Sequence, residues 1–119
     1  PIAIIDVYCI KPLNTEKLRL FVKEHGNKVV IAEENYPEGG LGEFLSKSIV
    51  NAGAKVETLS INGIPHSGNK EEVVKRYNID SEAIIEAVRK VNSPIQEENI
   101  VIIEKDKRQK KVKGKKKKR

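Results

Sequence analysis

An α/β domain with a largely parallel sheet is the fold class that the sequence predicts. Three observations predict it. Residues 2–8 are short, almost continuously apolar and β-branched, the pattern of a strand covered on both faces. Runs of this kind alternate along the chain with segments at helical spacing, which gives helices on both faces of the sheet in three layers, α/β/α. Between one such pair lies the run Glu33-Glu34-Asn35-Tyr36-Pro37-Glu38-Gly39-Gly40-Leu41-Gly42-Glu43, a glycine-marked passage from strand to helix.

Taken in order, the strand at 2–8 ends at Pro12, and Asn14 stands as an N-cap with Leu13 and Leu18 placed for a hydrophobic staple. Leu18, Phe21 and Val22 share a helical face, and Gly26 closes that helix. Residues 28–33 form the second strand. Leu41, Phe44, Leu45, Ser48 and Ile49 follow helical spacing up to Gly53. Residues 55–61 alternate, with Val56, Leu59 and Ile61 apolar, and read as the third strand. Asn69 and Glu72 make a pair like a capping box, with Val73, Val74 and Tyr77 facing inward. Asp80 caps the last helix, Ile79 is stapled to Ile84, and Ile84, Val88 and Val91 line one face.

The chain has 119 residues, enough for one domain, and is 38% hydrophobic, which suits a small aliphatic core. No apolar run has the length of a membrane span. The single Cys9 cannot form an intrachain disulfide, which points to a reducing compartment, the cytoplasm. The net charge of +6 hides an asymmetry, because residues 105–119 hold eleven Lys or Arg and one Asp while residues 1–104 carry a net −4. Charge at that density predicts a disordered basic tail over 105–119. Residues 92–104 read as a linker or a short extra strand, the latter over the β-branched run 100–103. Pro1 leads straight into the first strand, the pattern of a fragment of a longer chain.

The glycine-rich passage invites a phosphate, since a helix N-terminus offers free N–H groups and a positive dipole end. Glu33, Glu34, Glu38 and Glu43 oppose an anion there, and Glu43 is placed to take the dipole position itself. The spacing fits neither a dinucleotide fingerprint nor a P-loop. Gly39, Gly40 and Gly42 therefore read as structural glycines that bring the helix close to the sheet. His25 precedes a terminating glycine and reads as a helix cap. His66, Ser67 and Gly68 form a possible ligand loop beyond the third strand, where open α/β sheets bind small molecules; a solvated loop is the plainer reading. Cys9 reads as a small core residue.

Cys9, His25 and His66 lack metal-ligand spacing, and Ser67 lacks the nucleophile-elbow pattern. Glu33 and Glu34 are adjacent in a strand and point to opposite faces, so they do not form an acid/base pair. No catalytic, cofactor-binding or metal-binding residue is assigned. In the tail, Lys115, Lys116, Lys117, Lys118 and Arg119 could contact nucleic acid through its phosphates, without sequence preference because no aromatic side chain is interleaved.

The passage Tyr36-Pro37-Glu38-Gly39-Gly40-Leu41-Gly42, with Ile10-Lys11-Pro12-Leu13 before it and Ile64-Pro65-His66-Ser67-Gly68 after it, resembles the C-terminal domain of transketolases over residues 2–91. Asn78-Ile79-Asp80 and Ala83-Ile84 favour that family over its relatives, deoxyxylulose-phosphate synthase and the beta subunits of 2-oxo acid dehydrogenases. The resemblance implies a part of a dimeric enzyme that transfers a two-carbon ketol unit with thiamine diphosphate and Mg²⁺. It implies partner domains that bind pyrimidine and pyrophosphate and hold cofactor and substrate, leaving this domain a packing and assembly role. It also implies that the family's first strand and helix are lacking here. A free-standing module that binds nucleic acid through the tail is the alternative.

Overall fold

The computed structural model describes residues 2–94. Its elements run α1 (Thr15–Glu24), β1 (Lys28–Ala32), α2 (Leu41–Ile49), a 3-10 turn (Val50–Ala52), β2 (Lys55–Leu59), α3 (Lys70–Arg76) and α4 (Ser81–Asn92). The strands β1 and β2 pair in parallel, with Val29 opposite Val56 and Ala32 opposite Leu59.

Strand alternation sorts the helices into layers. Val29 and Val56 point to one face, where they pack with Leu18 and Val22 of α1, Ile49 of α2 and Ala54. Thr58 lies on that face too, against Gly42 of α2. Glu57 points the other way and meets Lys90 of α4 at 2.6 Å. Lys28 Nζ donates to Asn92 Oδ1, and Lys55 Nζ to the Lys90 and Ser93 carbonyls, at the carboxyl end of α4. The three layers are thus α1 and α2, the sheet, and α4.

The helix boundaries follow from local chemistry. Asn14 Oδ1 accepts from Lys17 N at 2.9 Å, and Asp80 Oδ1 from Ala83 N at 2.9 Å, each satisfying a free N–H of a first turn. After α1 the chain turns through Gly26 and Asn27 at positive φ, and Asn27 O then accepts from Lys55 N, which sets the start of the β1–β2 register. Asn69 Oδ1 accepts from Glu71 N, so it caps α3, but the reciprocal bond from Glu72 expected of a capping box is not among the contacts of the described residues.

The largest departure from expectation is at residues 2–8. They carry no ladder to β1 among the described residues, and Ile4 and Tyr8 are 89% and 93% exposed. Ile5, Asp6 and Val7 line a hollow with Leu18, Val22, Val29 and Ile31, so the segment lies beside β1 without being stitched to it. The physical reason is cover. A strand buried on both faces needs a cover over each, and here Ile2, Ile4, Ile5 and Tyr8 all remain exposed. Cys9 accordingly is half-exposed at the end of an unpaired segment and is not a core residue.

Two smaller corrections concern faces and ends. Ala87 and Val91 are the buried residues of α4, while Ile84 is exposed; the small Ala87 lets the helix sit close to the strands, and the buried stripe is turned away from Ile84. β1 ends at Ala32, one residue earlier than expected, where the Glu33 carboxylate turns to the start of α2, and β2 ends at Leu59, two residues earlier than expected. The run 100–103 and the basic residues Lys115 to Arg119 lie outside the described residues.

Candidate functional site at the carboxyl edge of the sheet

Open α/β sheets bind ligands beyond the carboxyl ends of their strands, and both glycine-bearing loops of this chain gather there. Glu33 follows β1 directly and is buried, at 9% exposure. Its Oε2 accepts from Leu41 N at 2.6 Å and its Oε1 from Gly42 N at 2.9 Å. The N-cap of α2 is Gly40, which has no side chain to satisfy these donors, so a carboxylate from the end of the strand does so. It also meets the positive end of the helix dipole.

The glycines fit around that carboxylate. A Cβ on Gly40 would lie 2.5 Å from both Glu33 Oε2 and Tyr36 O. A Cβ on Gly42 would collide with Thr58 Cγ2 and lie 2.9 Å from Glu33 Oε1. Gly39 has open space around it; its φ of +74° is what requires glycine. The phosphate-like position at this helix end is filled by the protein's own carboxylate. Sequence reasoning put Glu43 in that position and missed Glu33. The available signal was an N-cap without an acceptor, preceded by a Glu at the end of a strand.

Glu43 instead reaches back, its Oε2 accepting from Gly39 N at 2.7 Å, while Lys47 Nζ donates to its Oε1 at 2.7 Å. The bond from Lys47, then that from Gly39, holds the Glu43 carboxyl below its usual range. A carboxyl lowered in the folded state adds stability that is complete above its unfolded pKa, about 4.3, and that fades as pH falls through the folded value. Thermal unfolding followed from pH 7 to pH 3 should therefore show a steeper acid-side loss for the native chain than for Glu43→Gln. The difference should be small, because the pair is exposed to solvent.

The second loop is held by Tyr77 beyond the end of α3. Its hydroxyl donates to Ile64 O at 2.8 Å and accepts from His66 N at 2.9 Å. His66, Ser67 and Gly68 are exposed. A polar hollow of about 200 Å³ opens nearby, lined by Thr58, Ser60, Asn62, Arg76, Tyr77 and others, with His66, Ser67 and Gly68 outside its lining. His25 is elsewhere, at the end of α1, its ring stacked on Phe21 at 4.1 Å and its Nδ1 donating to Phe21 O at 2.7 Å. Among the described residues, no three His, Cys, Asp or Glu side chains gather as a metal site, and no helix is long and apolar enough to cross a membrane.

The carboxyl edge is thus a self-capped strand-to-helix turn beside a loop pinned by one tyrosine. Comparison with known proteins places the sequence that builds it in a family. The family profile described as "Transketolase, C-terminal domain" matches residues 1–84. Human transketolase is 35% identical over 89 residues, covering 74% of this chain and 14% of that protein. Transketolase of Pongo abelii is 35% identical over the same length, with the same shares. Transketolase-like protein 1 of Macaca fascicularis is 33% identical over 89 residues, covering 74% of this chain and 15% of that protein. The chain therefore spans about one seventh of the length of these curated relatives. On the matched residues and the α/β/α layers that carry them, the chain belongs to the transketolase C-terminal domain family.

Proposed function

We propose that this chain is the C-terminal structural and assembly part of a transketolase-type ketol transferase and has no catalytic activity alone. In the complete enzyme, a cytoplasmic homodimer, thiamine diphosphate and Mg²⁺ would be held by the pyrimidine-binding and pyrophosphate-binding domains. The observation that carries this reading is the fate of the glycine-rich turn. Its helix N-terminus is the natural seat for a diphosphate, and Glu33 already sits in it, accepting from Leu41 N and Gly42 N. A diphosphate there would meet a buried carboxylate at hydrogen-bonding range. Among the described residues no carboxylate or histidine cluster offers a place for its metal ion. The residues present do not fit the cofactor, so no reaction step is assigned to them.

The glycines and Glu33 instead serve rigidity. They fix α2 against β1 and β2 and so present a firm edge for packing against other domains. A ketol-transfer assay on the isolated 119-residue chain, with thiamine diphosphate, Mg²⁺ and sugar phosphates supplied, should give no turnover above the buffer blank. Clear turnover that scales with protein concentration would refute the reading.

A further inference from the structure

Ser60 is the first residue beyond β2, and it is buried, at 6% exposure. Its carbonyl accepts from Asn62 Nδ2 at 3.3 Å, while its hydroxyl has no hydrogen-bond partner among the described residues. A buried hydroxyl left unpaired is costly, so its partner is either water or a ligand. Ser60 lines the polar hollow of about 200 Å³ at the carboxyl edge of the sheet. That edge is where open α/β sheets take small molecules.

The rest of the lining sets the chemistry of the partner. Arg76 lines the hollow, and the ion pairs among the described residues, Lys47 with Glu43 and Lys90 with Glu57, leave it out. Asn62 keeps a second amide N–H beyond the one it gives to Ser60 O, and the Asn78 side chain makes no hydrogen bond among the described residues. Asp and Glu are absent from the lining among the described residues. The carbonyls at the end of α3 do not stand free to oppose an anion. Lys75 O accepts from Asn78 N at 3.1 Å, and Val74 O accepts from Ile79 N at 3.0 Å. Tyr77 forms part of the wall, its hydroxyl already committed to Ile64 O and His66 N.

One guanidinium with neutral donors around it suits a single negative charge. The planar guanidinium matches a carboxylate through two parallel N–H bonds. A phosphate ester carries about −1.5 to −2 at pH 7, and no second cation lines the hollow among the described residues. Pockets for drug-sized ligands run to about 300–1,000 Å³, so this smaller hollow suits a molecule of few heavy atoms.

We propose that this hollow binds a small hydroxycarboxylate, its carboxylate on the Arg76 guanidinium and a hydroxyl on Ser60 Oγ. Asn62 and Asn78 serve the remaining oxygens. The site does not involve the glycine turn, and its occupation is independent of ketol transfer.

An NMR titration of sodium glycerate into the 119-residue chain, at neutral pH and fixed ionic strength, tests it. The peaks of Ser60, Asn62, Asn78 and the Arg76 Nε–H should shift together and saturate below about 10 mM. Glycerol, which lacks the charge, and inorganic phosphate, which carries more of it, should leave those peaks in place at the same concentration. Arg76→Gln should weaken glycerate binding at least about tenfold, since it removes a charge-assisted pair of bonds. Ser60→Ala should weaken it at least about threefold and should melt no lower than the native chain, because the hydroxyl takes no part in the fold. The absence of saturable shifts at these residues would overturn the proposal, since Ser60 would then bond water only. An equal response to phosphate or glycerol would overturn it too. So would shifts confined to other residues, the basic run 105–119 included, or a Ser60→Ala chain that loses stability and still binds glycerate as before.

Discussion

Replacing Glu33 with alanine should be among the most damaging single changes in this chain, at about 3 kcal/mol of folding stability. The estimate follows from what the carboxylate holds. Leu41 N and Gly42 N both donate to it, and neither has an alternative acceptor at the start of α2, because Gly40 brings none. A buried N–H left without a partner costs about 1–3 kcal/mol, and the loss of a charged acceptor falls at the upper end of that scale. The negative charge at the helix N-terminus is lost as well. In a domain of this size, about 3 kcal/mol lowers the unfolding temperature by roughly 12–20 °C. Glu33→Gln keeps one carbonyl oxygen toward the donors and should lose less than half as much. Circular dichroism melts of the three proteins measure the difference. A loss under about 1 kcal/mol for the alanine variant would mean that water satisfies the donors and that the turn is not built around Glu33.

Gly42→Val should cost about as much for a different reason. The first added carbon meets Thr58 Cγ2 on one side and Glu33 Oε1 at 2.9 Å on the other. Thr58 is fixed in β2, and Glu33 is the cap itself, so neither is the loose end of a surface side chain. Forcing extra carbons into a packed site costs about 1–3 kcal/mol, and valine gains little helix propensity over glycine. The strain has an address. Thr58→Ser removes the methyl that the valine strikes and should recover about 1 kcal/mol in the Gly42→Val background. In the native background the same change should be mildly destabilising, since it removes a half-buried methyl. Urea unfolding of the four proteins gives the coupling directly. If the two substitutions simply add, the approach of α2 to β2 is not what requires glycine at position 42.

The family and the layered architecture were legible in the sequence because they rest on local patterns. Asn14 and Asp80 cap the helices that their positions predict. Leu18 and Val56, which periodicity singles out as apolar members of their elements, pack with Val29 against the core. What the sequence hid depends on neighbours. Residues 2–8 have the composition of a buried strand, and composition does not say whether a helix is present to bury it. Ile84 and Ala87 both fit a helical stripe; only the seat of α4 on β1 and β2 decides that the smaller residue goes inside. Glu33 was read as one of four carboxylates around a turn, because its bonds to Leu41 and Gly42 span eight and nine residues and have no fixed sequence spacing. Hydrogen bonds that close a loop belong to the fold, and short-range pattern reading sees only their ends.

The claim that the chain's own carboxylate fills the helix end suited to a diphosphate is open to a direct binding measurement. Titrating thiamine diphosphate with Mg²⁺ into the isolated 119-residue chain by calorimetry should give only the heat of dilution. Saturable binding at one equivalent per chain would contradict the account, above all if Glu33→Gln made it tighter.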